Sequence, residues 1–164
     1  MKSQDSIKIR KAKKTDFEGY YQLENEFSKY CSSLEKKKDF HYKIIKKELK
    51  KNFLEKIKKK NKIFIFIEEK GALQGYLFGE ITKGVGLGYS SGLKKVGYLE
   101  NIFISSSFRK KGYGSKLLEE FNNFLKKNKV KYLFLHVECA NQGALKFYNK
   151  LSFKIQEYKM YAKI

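Results

Sequence analysis

Residues 98–118 read YLENIFISSSFRKKGYGSKLL, and three patterns meet in them. From Tyr98 to Ile104 the run is aromatic and β-branched, which predicts a strand. Apolar residues at Tyr113, Leu117, Leu118, Phe121, Phe124 and Leu125 share one face of a helix expected over 112–127. Between the two stands the basic turn Arg109-Lys110-Lys111-Gly112-Tyr113-Gly114. A turn that enters a helix offers N–H groups with no intrahelical acceptor and the positive end of the helix dipole, so it seats phosphate. Gly112 and Gly114 let such a ligand approach the backbone closely.

Downstream, VKYLFLHVE at 130–138 reads as the next strand, and a right-handed crossover through helix 112–127 makes it parallel to strand 96–105. Asn141 can cap a following helix that turns Ala144, Phe147, Tyr148 and Leu151 inward. Residues 153–164 alternate apolar and polar and are expected to close the sheet as one bent strand or two short ones. Upstream, KIFIFIEE (62–69), the turn Lys70-Gly71 and LQGYLFGEI (73–81) form a hairpin. Ile7 and Ile9 mark a first short strand, and Thr15 or Asp16 can cap a helix to about Tyr30, lined inside by Phe17, Tyr20, Tyr21, Leu23 and Phe27. A second, lysine-faced helix is expected from Phe40 to about Lys59. The glycines at 84, 86 and 88 lack a strand–turn–helix frame, so 83–95 reads as a loop and not as a phosphate cradle. The expected fold class is mixed α/β, one domain over 1–164, with a mostly antiparallel sheet, parallel strands 96–105 and 130–138, and about four helices.

Composition bounds the partners. The net charge of +20 comes from 37 basic residues, of which only Arg10 and Arg109 are arginine. Such a surplus can bind polyanions. Lysines spread through every segment, with no proline or tryptophan, read instead as a solvated surface, which makes nucleic acid an unfavoured partner. Cys31 and Cys139 have no paired or metal-binding spacing, which fits a reducing cytosol and no metal. Residues 1–10 lack the apolar core of a signal peptide, and no apolar run approaches the ~20 residues that span a bilayer. A cytoplasmic protein without a membrane partner is expected.

Two motifs then name a family. RKKGYG at 109–114 after YLENIFIS matches the Q/RxxGxG/A loop, and NQGALKFYNKLSF at 141–153 matches the NxxAxxxYxxxGF signature. In this order and about 30 residues apart, they resemble the GNAT superfamily of acetyl-CoA-dependent N-acetyltransferases. IKIRKAKKTD at 7–16 and the 62–81 hairpin extend the likeness, residues 28–60 and 83–95 do not, and Ser152 stands where the signature usually has Gly. The resemblance implies a GNAT-like fold whose parallel strands splay near Ile102 and Cys139, with acetyl-CoA as donor and no metal. It assigns the CoA pyrophosphate to the backbone of Arg109, Lys110, Lys111, Gly112, Tyr113, Gly114 and Ser115. The pantetheine arm then pairs with Ile102, Phe103 and Ile104 and meets Asn141, a helix cap in its own right. Arg109 is notable in a lysine-using chain because its planar fork binds phosphate oxygens or backbone carbonyls in two places at once.

Attack on a thioester needs a neutral amine, a stabilised oxyanion and a proton for the departing thiolate. The resemblance makes Tyr148 the acid and acetyl transfer direct, in a ternary complex; read alone, Tyr148 is a core aromatic. An alkylammonium has a pKa near ~10.4, so a base or water path must deprotonate it. Glu100, on the strand with Tyr98, Ile102 and Ile104 expected on its side, is one candidate. His136 is another, where ribosomal-protein relatives carry a Glu, and Glu138 is a third; ordered water is the alternative to all. The N–H of Phe103 or Ile104 can polarise the carbonyl. The acceptor expected is a small amine or a peptide amine, and the sheet edge leaves room for a homodimer. Two rival functions remain: an acyl-CoA-binding regulator without turnover, and a basic RNA- or ribosome-associated protein.

Overall fold

The computed structural model describes residues 7–34, 44–83, 94–158, 160 and 162. Five strands form one sheet in chain order: β1 (Lys8–Lys11), β2 (Lys62–Glu69), β3 (Ala72–Thr82), β4 (Val96–Ile104) and β5 (Leu133–Leu135). The first four run antiparallel to their neighbours, and β5 is parallel to β4. The helices are α1 (Phe17–Leu34), α2 (Lys46–Lys56), α3 (Tyr113–Lys127) and α4 (Gln142–Lys150). Lys70 and Gly71, at φ +50° and +81°, make the tight β2–β3 turn whose twist suits a hairpin.

Two cores lie on opposite faces of the sheet. One is aromatic, where Phe17, Tyr20 and Leu23 of α1 and Phe53 of α2 cover Phe64, Phe66, Tyr76, Phe78 and Phe103. The other is mostly aliphatic, where Leu117, Leu118, Phe121 and Leu125 of α3 and Tyr148 of α4 cover Ile65, Ile67, Leu77 and Leu99. Gly79 and Gly97 make the second seat close. A Cβ on Gly79 would stand 2.5 Å from the Phe121 ring, and one on Gly97 2.5 Å from Leu125. The start of α1 is pinned by Arg10, whose Nη1 and Nη2 donate to Asp16 at 2.7 and 2.9 Å while Nε donates to Glu68 at 2.6 Å.

The strand β4 carries the feature that strict alternation cannot foresee. Asn101 pairs with Phe78 and Leu99 with Gly79, so Glu100 is an extra residue, a β-bulge. The bulge reverses which residues share a face. Ile102 and Ile104 join Leu99 in the core under α3, whereas Glu100 turns toward Lys56 of α2 and Lys62. The expectation that Glu100 shares a side with Ile102 and Ile104 therefore fails.

Other boundaries shift. The strand expected over 130–138 pairs only at 133–135, because β4 bends away at the bulge and its later partners are lost. Residues 153–158 carry no strand, against the expected sheet closure. The second helix starts at Lys46, and residues 40–43 lie outside the described residues, as do 1–6 and 84–93 of the glycine loop. Ser152 sits at φ +65°, a left-handed turn that a glycine would take without strain.

Candidate functional site

The parallel pairing of β4 and β5 runs from Gly97↔Leu133 to Leu99↔Leu135 and then stops, while β4 continues to Ile104 along β3. A gap opens on that side of β4. Ser105 donates its N–H to the Gln74 carbonyl at 2.9 Å, so by antiparallel alternation Phe103 also bonds toward β3. Ile102 and Ile104 consequently turn their backbone groups into the gap. Phe103 instead keeps its backbone on β3 and its ring in the aromatic core.

At one end of the gap the chain passes through a short 3₁₀ turn (Ser106–Phe108) into the basic loop. Lys110 and Gly112 have φ of +62° and +80°, and Gly112 caps α3. A Cβ on Gly112 would meet nothing within 4 Å, so open space lies beside the first-turn N–H groups of Tyr113, Gly114 and Ser115. That space and those donors fit a pyrophosphate. Gly114 is glycine for another reason: a Cβ there would stand 3.3 Å from the Phe147 ring of α4. Lys110 and Lys111 are exposed beside the loop, with Lys111 Nζ 4.8 Å over the Phe108 ring. Arg109 turns inward. Its Nε donates to the Ile104 carbonyl at 2.9 Å, and its guanidinium lies 4.4 Å over the Tyr30 ring and 5.3 Å over that of Phe103.

At the start of α4, Asn141 Oδ1 accepts from the Ala144 N–H and from the Tyr30 hydroxyl, both at 3.0 Å. Tyr148 is buried, with ring centroids 5.2 Å from Phe147 and 5.4 Å from Phe153. No described residue hydrogen-bonds to its hydroxyl. Burial pushes that phenol up to about 12, so it is protonated at neutral pH.

The remaining candidates lie around the bulge. Glu100 is half-buried, 3.1 Å from Lys56 Nζ and 3.8 Å from Lys62 Nζ, and Lys62 also pairs with Glu80. His136 is exposed, with Nδ1 2.6 Å from the Tyr98 oxygen and Nε2 3.7 Å from Glu157. Burial and then the charges of Glu100 and Glu80 push the Tyr98 phenol up. The structure thus brings Glu100, Tyr98 and His136 into one neighbourhood and places Tyr148 on α4, in the core beneath α3. Tyr98 and Tyr30 were not foreseen as site residues. Tyr98 lies two residues before Glu100 on the same strand, a local signal; Tyr30 lies 111 residues from its partner and has none. Among the described residues no cluster of His, Cys, Asp and Glu could hold a metal, and no helix is long and apolar enough to cross a membrane.

This geometry has known counterparts. The sequence model of the acetyltransferase (GNAT) family matches residues 20–153. The chain belongs to the GNAT acetyltransferase family. Curated relatives include N-alpha-acetyltransferase 60 of Drosophila melanogaster, 36% identical over 69 residues (40% of this chain and 25% of that protein). Another is the probable N-acetyltransferase san of the same organism, 35% identical over 63 residues, 38% of this chain and 34% of that one. The matches thus span about a quarter to a third of these relatives. Among solved structures, aminoglycoside N-acetyltransferase AAC(6')-Iy in complex with CoA superposes with a TM-score of 0.79 at 16% identity, covering 100% of this chain and 98% of that one. Glucosamine-6-phosphate N-acetyltransferase from Arabidopsis thaliana gives 0.70 at 20% identity, with 96% and 98% covered. At these identities the likeness is one of GNAT fold.

Proposed function

We propose that this GNAT domain transfers the acetyl group of acetyl-CoA directly to a primary amine bound in the same complex. The observation that carries the reading is the open edge of β4, where the Ile102 backbone and the Ile104 N–H have no strand partner, between a glycine turn at a helix start and a buried, protonated tyrosine. Acetyl-CoA supplies an activated thioester. Around it, the N–H groups of Tyr113, Gly114 and Ser115 hold the pyrophosphate, and Lys110 and Lys111 add charge from solvent. Ile102 and Ile104 bond the arm, and the Ile104 N–H, rather than that of Phe103, donates to the acyl oxygen. Arg109 serves this site by gripping the Ile104 carbonyl and so holding the turn in place, with its fork on carbonyl and rings instead of on phosphate.

Tyr148 donates to the departing sulfur. A phenol near 12 is a weaker acid than a thiol near ~8.5, so a strong hydrogen bond to the sulfur is favoured over early proton release. His136 accepts the amine's proton through water. With hydrogen on Nδ1 it donates to Tyr98 and leaves the Nε2 lone pair free to accept. Glu100, paired with Lys56 and Lys62, anchors the acceptor. The acceptor is a small amine or a peptide amine.

The test is an acetyl-CoA turnover screen across amine classes, read as thiol release. Amine-dependent release is expected; acetyl-CoA binding with no amine-dependent release would favour a regulator instead. Saturable RNA binding at physiological salt would favour the nucleic-acid reading.

A further inference from the structure

Tyr30 lies on α1, on the far side of the gap from α4, yet it touches two residues of the cofactor cleft. Resting on the acetyltransferase reading, we propose that Tyr30 is a positioning residue: it fixes the amide of Asn141 so that its NH₂ faces the gap and takes a carbonyl oxygen of the acyl-CoA arm.

The Ala144 N–H at the start of α4 can be met only by an oxygen, which settles which end of the Asn141 amide lies there. Tyr30 donates its hydroxyl to the same Oδ1, so both lone pairs are used. Two bonds at different directions fix the plane of the amide where one would leave it free to swing. Nδ2, with two donors, has no acceptor among the described residues. Tyr30 is itself held, because the Arg109 guanidinium lies 4.4 Å over its ring and Arg109 Nε grips the Ile104 carbonyl. The sequence Ile104–Arg109–Tyr30–Asn141 therefore ties the open edge of β4 to the start of α4 through side chains of α1 and the basic loop. A cap alone would need only the Ala144 bond. The second donor, delivered from 111 residues away, is what the orientation of Nδ2 requires.

Tyr30→Phe removes the hydroxyl and keeps the ring under Arg109. Asn141→Ser keeps a capping oxygen and removes the amide. Calorimetric titration of acetyl-CoA into the wild-type chain, both variants and the double variant reads the coupling. Tyr30→Phe should weaken acetyl-CoA binding by about 3- to 10-fold, the loss of one oriented neutral hydrogen bond, with an unchanged melting midpoint. In steady state the change falls on KM for acetyl-CoA and not on kcat at saturation. Asn141→Ser should weaken binding at least as much, and adding Tyr30→Phe to it should cost nothing further. Equal binding by Tyr30→Phe, or a loss that adds in full to that of Asn141→Ser, would overturn the role of Tyr30 alone. A wild-type chain that binds no acetyl-CoA would overturn the acetyltransferase reading and this inference with it.

Discussion

The two halves of β4 are continuous in one strand and differ in how their edges are met. From Gly97 to Leu99 the strand is paired on both edges, and its residues answer to packing: Gly97 makes room for Leu125, and Leu99 is 2% exposed. From Ile102 to Ile104 it is paired with β3 alone, and its other edge has no strand partner, the Ile104 carbonyl being met instead by Arg109 Nε. The single extra residue Glu100 separates them. A sheet interior becomes an open edge without a change of strand, because a bulge bends one partner away from the other.

The comparison is broken most directly by taking one N–H from each half. Ile104→Pro removes a donor that faces the gap, where an edge tolerates proline. It should cut turnover by about 10²- to 10³-fold while the chain still melts cooperatively, with Ile104→Val as the side-chain control. The same change at Gly97, whose N–H bonds to the Tyr132 carbonyl at 2.8 Å, should instead cost the fold, seen as loss of the melting transition. Next in size, Tyr148→Phe should lower kcat by about 10²-fold and leave acetyl-CoA affinity, measured by titration, within error. Gly97→Ala forces a Cβ against Leu125 and should cost about 1–3 kcal/mol in denaturant unfolding, with the binding edge intact.

The smallest effect is in alkali. Because burial raises the Tyr148 phenol from 10.0 to about 12, the folded chain holds that proton more tightly than the unfolded one. Its contribution is complete below pH 10 and is lost as pH rises from there to about 12. A Tyr148→Phe chain should lack this component, so its alkaline unfolding midpoint moves up relative to wild type. An unchanged midpoint would mean that the phenol is solvated.

Much of this was legible in local patterns. The hairpin, the start of α3 after a basic glycine turn, and the Asn141 cap all follow from residues within a few positions of one another. What escaped depends on tertiary arrangement. Period-two reasoning put Glu100 beside Ile102 and Ile104, and only the register against β3 shows the bulge. The 130–138 run has strand composition throughout but loses its partner after Leu135, and residues 153–158 have alternation without an edge that they pair with. Arg109 stands out in a lysine-using sequence, but its turn inward sets it over Tyr30, which no spacing rule connects to it. Ser152 shows the converse case: the residue departs from the family signature while the backbone, at φ +65°, keeps the turn.

The paired glycines under α3 have a mechanical consequence. Phe121 drops onto Gly79 and Leu125, one turn later, onto Gly97, like two teeth in two notches. A helix seated in this way cannot slide along the sheet by less than a full turn. Its first residue, Tyr113, lies eight positions before Phe121, about 12 Å along the axis at the usual helical rise. The notches therefore act as a ruler: they set, from further along the helix, the span between the glycine turn at the start of α3 and the open edge of β4, and so the length of acyl-CoA arm that the proposed site would accept.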